Sequence, residues 1–171
     1  MPPVVEAYLD IETTGLSPWD NQITVVGIQL CRGEETRFVQ LVGKDISGQS
    51  ILNALGDASM MYTYNGSRFD LPFINSQLGV NLEECFTHRD LMFDCWRCNL
   101  YGGFKSVERQ MGIGRKLTEV DGREAIRLWW KYVEGGDGKA LNTLLEYNRE
   151  DVENLRVLKN KLAAIEGVSW D

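Results

Sequence analysis

Strand-length apolar runs come first in this chain and helical periodicity comes after, and that order constrains the fold more than any other feature. Val4–Ile11 is mostly apolar, the pattern of a buried strand, and it stops at Thr13-Thr14-Gly15 and Ser17-Pro18. Ile23–Leu30 is a second strand, and Arg32-Gly33-Glu34-Glu35 is a turn into a third, Thr36–Leu41. Three successive strands with no helical pattern between them predict an antiparallel start to the sheet. Ile51–Leu55 reads as a short helix and Met60–Tyr64 as a fourth strand ending at Asn65-Gly66. Asp70-Leu71-Pro72 opens a helix, with Asp70 near the cap and Pro72 in the first turn. Cys85–Leu91 is a weaker fifth strand. Ser106–Met111 is a short helix, and Gly122–Val133 carries Ala125, Ile126, Trp129, Trp130 and Val133 at helical spacing. The last helical region runs over Ala140–Ile165, with a break placed near Asn148. Its core stripe is Val152, Leu155, Leu158, Leu162 and Ile165. With no repeat or linker, the expectation is a single α/β layered domain over residues 1–171: a mixed five-stranded sheet, antiparallel in its N-terminal portion and flanked by helices.

Composition narrows what such a domain can do. A chain of 171 residues buries about two-thirds of its unfolded surface and needs no staples. The four cysteines (Cys31, Cys85, Cys95, Cys98) are too sparse for a disulfide scaffold, so a reducing cytoplasm is the expected setting. Cys95-Trp96-Arg97-Cys98 has no second cysteine pair nearby and reads as two cysteines on one helix face rather than a zinc or redox motif. Met1-Pro2-Pro3-Val4 has neither the basic stretch nor the apolar core of a leader. No apolar run approaches the roughly 20 residues of a membrane span. The net charge of −7 argues against a bulk electrostatic nucleic-acid binder and predicts weak, salt-sensitive substrate binding unless a partner or dimer supplies positive surface. Between residues 105 and 131, Lys105, Arg109, Arg115, Lys116, Arg123, Arg127 and Lys131 outnumber four acids. This segment is either the place for a phosphate backbone or a solvated helix face.

The acids carry the chemistry. Asp10 and Glu12 stand two apart on a strand, so their carboxylates share one face of the sheet. Two like charges at the end of an apolar strand repel, and a divalent cation is the simplest compensation. Asn65-Gly66-Ser67-Arg68-Phe69-Asp70 follows a strand and opens a helix, so Asp70 emerges at the same sheet edge as Asp10 if those strands are parallel neighbours. Tyr147-Asn148-Arg149-Glu150-Asp151 puts Tyr147 and Asp151 on one face of a helix. Taken singly, Asp70 reads as an N-cap and Tyr147 with Asp151 as a common surface pattern, while an exposed strand end is the lesser alternative for Asp10 and Glu12.

As an ordered set they resemble the DEDD superfamily of 3′–5′ exonucleases, in its tyrosine-bearing (DEDDy) branch, on a ribonuclease H-like fold. Asp10-Ile11-Glu12-Thr13-Thr14-Gly15 matches that superfamily's first motif in full, and Gly122–Leu158 is similar to a prokaryotic ribonuclease H-like exonuclease family. The resemblance implies a two-metal-ion hydrolase acting at the 3′ end of single-stranded DNA or RNA. Asp10 would bridge both ions, Glu12 and Asp151 would complete the site holding the attacking water, and Asp70 would support the second ion. Hard oxygen ligands select Mg²⁺ or Mn²⁺. Tyr147 would position the water, since a phenol of ordinary pKa near 10 is a poor base. Thr13, Thr14 and Leu16 would pack on the terminal nucleotide, and Asn65 would touch the sugar or phosphate at the cleaved bond. Phe69, Trp129 and Trp130 read as packing, and His88 and Asp90 as supports of the fifth strand. The chain is short enough to serve a larger replication, repair or RNA-processing assembly. Two rival readings are an idle ribonuclease H-like module that binds nucleic acid or a partner, and a structure-selective endonuclease. Fold alone does not choose among them.

Overall fold

The computed structural model describes residues 3–166 and 170. Met1 and Pro2 of the segment weighed as a leader, and residues 167–169 and 171 of the expected domain, lie outside them. Five strands form one sheet in the order β3-β2-β1-β4-β5. They are β1 (Val5–Thr13), β2 (Ile23–Arg32), β3 (Glu35–Val42), β4 (Met60–Thr63) and β5 (Thr87–Asp90). β1 pairs antiparallel with β2, and β2 with β3. β4 joins the other side of β1 in parallel, and β5 follows β4 in parallel. This is the ribonuclease H-like α/β arrangement expected above. β1 runs two residues beyond its expected end, so both Asp10 and Glu12 stand within the strand, just before a register shift at Glu12/Thr13.

The helices are α1 (Gly48–Leu55), α2 (Asp70–Leu78), α3 (Leu82–Cys85), α4 (Leu91–Arg97), α5 (Phe104–Met111), α6 (Gly122–Gly135) and α7 (Gly138–Glu166). The alternation of β1 divides them. Ala7, Leu9 and Ile11 pack with Ile51 and Leu55 of α1 and Leu71, Phe73 and Ile74 of α2. Tyr8 points to the opposite face, where it stacks on Tyr62 and meets Cys95 of α4, Val107 of α5 and the α7 stripe Val152, Leu155, Leu158, Leu162. A third cluster, Val25 with Trp129 and Leu144, seats α6 and the start of α7. Asp10 and Glu12 follow Tyr8 at every second position, so their side chains belong to the same α7 face.

Several expectations change. α7 continues unbroken through Asn148, which is fully buried. Ile165 is exposed and leaves the core stripe, and Trp130 and Val133 are exposed on α6, whereas Ala125, Leu128 and Trp129 face inward. β5 is shorter than Cys85–Leu91 because Leu82–Cys85 winds into α3 and Leu91 opens α4. Among the described residues, no helix is long and apolar enough to cross a membrane.

Candidate active site

At the end of β1, carboxylate oxygens of Asp10, Glu12 and Asp151 lie within 4.8 Å of one another. Asp10 and Glu12 come from the strand, and α7 lowers Asp151 onto them one helical turn after Tyr147. Asp70 opens α2, which begins after a sharp loop at the carboxyl end of β4. Its Oδ1 accepts from the Ile11 amide at 3.0 Å, between the two strand acids. The N-cap position is held by Phe69, so Asp70 is not the cap; its carboxylate turns back to the strand instead.

Burial and mutual repulsion act on every acid here. Burial, then the charges of Asp151, Glu12 and Asp70, hold Asp10 well above the usual carboxylate range. Burial and Asp151 do the same to Glu12. Asp70 is pushed up to about 7 by burial, against the Ile11 amide, which pulls it down. Asp151 is pushed up to about 6 by burial, and Arg115 opposes the rise. The Tyr147 hydroxyl is raised by burial and by Asp151, Glu12 and Asp10, so it stays protonated.

Arg115 and Asn148 hold this constellation, each braced by further partners. Arg115 donates from Nη2 to Asp151 and from Nε to Glu108 Oε2 at 2.5 Å, with its side chain only 7% exposed. Asn154 donates to the other Glu108 oxygen at 2.8 Å. The Asn148 amide donates to the Asp10 carbonyl at 3.2 Å and to its carboxylate at 3.3 Å, while Gln40 donates to Asn148 at 3.0 Å. These arrangements were not legible beforehand. Arg115 sat in the segment read as phosphate-facing or solvated, and it is neither. The helix break expected near Asn148 does not occur; an amide side chain between Tyr147 and Asp151 is the available signal.

Glu12 Oε1 is buried with no hydrogen-bond partner among the described residues. Together with three hard carboxylates at chelating separation, that orphaned oxygen fits a divalent cation bound through oxygen.

Two clefts open on the cluster. One of about 630 Å³ is lined by Glu12, Thr13, Leu16, Phe69 and Arg123. The other, about 310 Å³, is lined by Asp10, Tyr147, Asp151, Tyr64, Phe104 and Lys105. Thr13 and Leu16 therefore face the site's surroundings, and Leu16 is 86% exposed. Thr14 is turned to its own loop, where its hydroxyl accepts from the Gln22 amide. Asn65 adopts a positive φ of 59°, and its amide donates to Asp90.

Residues weighed as structural behave so. His88 bonds Thr63 of the neighbouring strand at 2.8 Å. Asp90 accepts from the Asn65 and Ser67 amides, the Ser67 hydroxyl and the Met92 amide, tying the loop before Asp70 to the start of α4. Cys95 is buried in the core, and Cys98 caps the end of α4.

Among solved structures, Brucella melitensis NrnC bound to pGG is 20% identical with a TM-score of 0.62, over 94% of this chain and 72% of that one. NrnC with bound Mg²⁺ is also 20% identical at 0.62, over 96% and 76%. The family B DNA polymerase of the hyperthermophilic archaeon Pyrobaculum calidifontis is 17% identical at 0.68, over 96% of this chain and 24% of the polymerase. At these identities the likeness is one of fold. No curated protein matches the sequence. The family model of the RNase_H superfamily matches residues 7–163, nearly the whole described chain, and the chain belongs to that superfamily.

Proposed function

We propose that this chain is a two-metal-ion-dependent 3′–5′ exonuclease of the tyrosine-bearing DEDD branch, acting on the 3′ end of single-stranded DNA or RNA. The observation that carries this reading is the convergence of Asp10, Glu12 and Asp151 on one another, with Asp70 bonded to the strand between them. Burying four like charges opposes folding, and two dications would neutralise them. The Mg²⁺ and pGG bound by NrnC are ligands of the kind such a site takes.

Asp10, Glu12 and Asp151 would hold one Mg²⁺ or Mn²⁺, and Asp10 with Asp70 the second. When bound, such a pair supplies a water nucleophile at neutral pH and charge for the leaving oxygen. Tyr147 keeps its proton and orients water by hydrogen bonding rather than acting as a base. Asn148 and Arg115 fix Asp10 and Asp151. Thr13 and Leu16, lining the larger cleft, would pack on the terminal nucleotide, with Thr14 shaping their loop. Asn65 would approach the sugar or phosphate at the cleaved bond. A single domain working in the cytoplasm, alone or within a larger nucleic-acid-processing assembly, completes the proposal.

The test is a gel time course with 5′-labelled single-stranded DNA and its RNA equivalent, in Mn²⁺, Mg²⁺ or EDTA. A ladder that shortens from the 3′ end, and disappears in EDTA and in Asp151→Asn, is the expected result. Cleavage of a substrate with a blocked 3′ end would favour an endonuclease, and no cleavage with any metal would favour a binding module.

A further inference from the structure

Beside the loop that delivers Asp70, Arg68 lies exposed over two aromatic rings of α4. Its guanidinium carbon is 5.4 Å from the Phe93 centroid and 5.2 Å from that of Trp96. The rings meet edge to face with centroids 5.2 Å apart, and Phe93 is 37% exposed. The nearby acids are already engaged. Asp94 is buried and accepts from Arg89 and Arg97. Asp90 accepts four bonds from the Asn65–Ser67 loop and Met92. Among the described residues the Arg68 side chain has ring contacts and no carboxylate. Stacking engages the guanidinium face and leaves its fork of N–H donors open.

We infer that Arg68, Phe93 and Trp96 form a docking surface for the single strand of nucleic acid on the 5′ side of the hydrolysed bond. The inference rests on the exonuclease reading and extends it from the reaction site to the strand that feeds it. A phosphate fits the fork of an arginine bidentately. A half-exposed aromatic face beside it suits an unpaired base, whatever its identity. In a chain of net charge −7, a cation with no acid beside it is complementary to a polyanion. The surface is also indexed to the reaction site. Arg68 stands two residues before Asp70, and Asp90 clamps the same loop to α4, so the platform and the Asp70 carboxylate are held in one register.

The experiment is fluorescence anisotropy in EDTA with 5′-fluorescein-labelled twelve-nucleotide thymidine and uridine homo-oligomers and their dinucleotide counterparts. Wild type, Arg68→Ala and Phe93→Ala are compared over a range of salt concentrations. Expected is a roughly tenfold fall in the twelve-mer's affinity advantage over the dinucleotide in each variant. Arg68→Ala should also flatten the slope of log K against log salt by about 0.7, the value for one phosphate contact on a single strand. Phe93→Ala should keep that slope. Unchanged twelve-mer affinity in Arg68→Ala, or an equal loss for both lengths, overturns the inference. Loss confined to uridine or to thymidine oligomers supports it. A protein that binds the twelve-mer through Arg68 yet hydrolyses nothing with any metal would keep this surface and discard the exonuclease.

Discussion

Asn148 of α7 donates to both the backbone carbonyl and the carboxylate of Asp10 on β1, joining the last helix to the central strand at the candidate metal site. The approach depends on Gly27, which faces Asp10 across the β1–β2 ladder. A Cβ at Gly27 would collide with Asn148 Oδ1 and crowd Val152 at 2.9 Å. We expect Asn148→Ala to lower hydrolysis roughly 10–100-fold, as loss of a residue that orients a ligand does elsewhere. Gly27→Ala should reproduce the defect by displacing Asn148. Steady-state assays over a metal titration check this, and full activity in Gly27→Ala would show that Asn148 does not position Asp10.

Arg115 is the counter-ion of the buried acids. Replacing it with Met leaves Glu108 and Asp151 buried without their partner, which should destabilise the fold by about 3–5 kcal/mol. The exposed Arg127–Glu124 pair on α6 is a control, and Arg127→Ala should leave the melting temperature where it was. Urea denaturation of both variants separates the cases. Equal stability would mean that the cluster does not need its cation.

Divalent metal should raise the melting temperature of wild type, by about 2.7 kcal/mol of stability at a hundredfold excess over Kd. Asp10→Asn should respond far less to metal, and in EDTA it should melt above wild type because one repelling charge is gone. Thermal scans with and without Mn²⁺ check both signs. An equal metal shift in the two proteins would place the ions elsewhere.

In EDTA, stability should fall as pH rises. Asp70 titrates near 7 and Asp151 near 6 in the folded protein, while both have ordinary values near 4 when unfolded. Between those limits the folded state holds more protons than the unfolded one, so each increment of pH favours unfolding. The loss should begin near pH 4, deepen as Asp10 and Glu12, which burial also raises, lose their protons, and be relieved by metal at the alkaline end. Melting temperatures across this range test it, and a rise with pH in EDTA would refute it.

The sequence carried the strands well because their pattern is local: β1 to β4 lie within two residues of the expected limits. α3 was not expected, since four residues hold too little periodicity to register. A break near Asn148 is a reading of the local sequence, but its partners are Asp10 and Gln40, which the fold brings from distant positions. Arg115 was counted by charge, and its burial depends on where Glu108 and Asp151 come to rest. The alternation Asp10/Glu12 and the helical spacing Tyr147/Asp151 were legible as faces. Which neighbour each face would meet was not, because that is decided by the strand order.

Asp151 reaches the strand acids from the last helix, whose inward stripe Val152, Leu155, Leu158 and Leu162 also closes the core. During synthesis, Asp10 and Glu12 leave the ribosome long before the carboxylate that joins them. A nascent chain thus carries an unfinished centre, and the three-acid cluster comes into being only as the core closes.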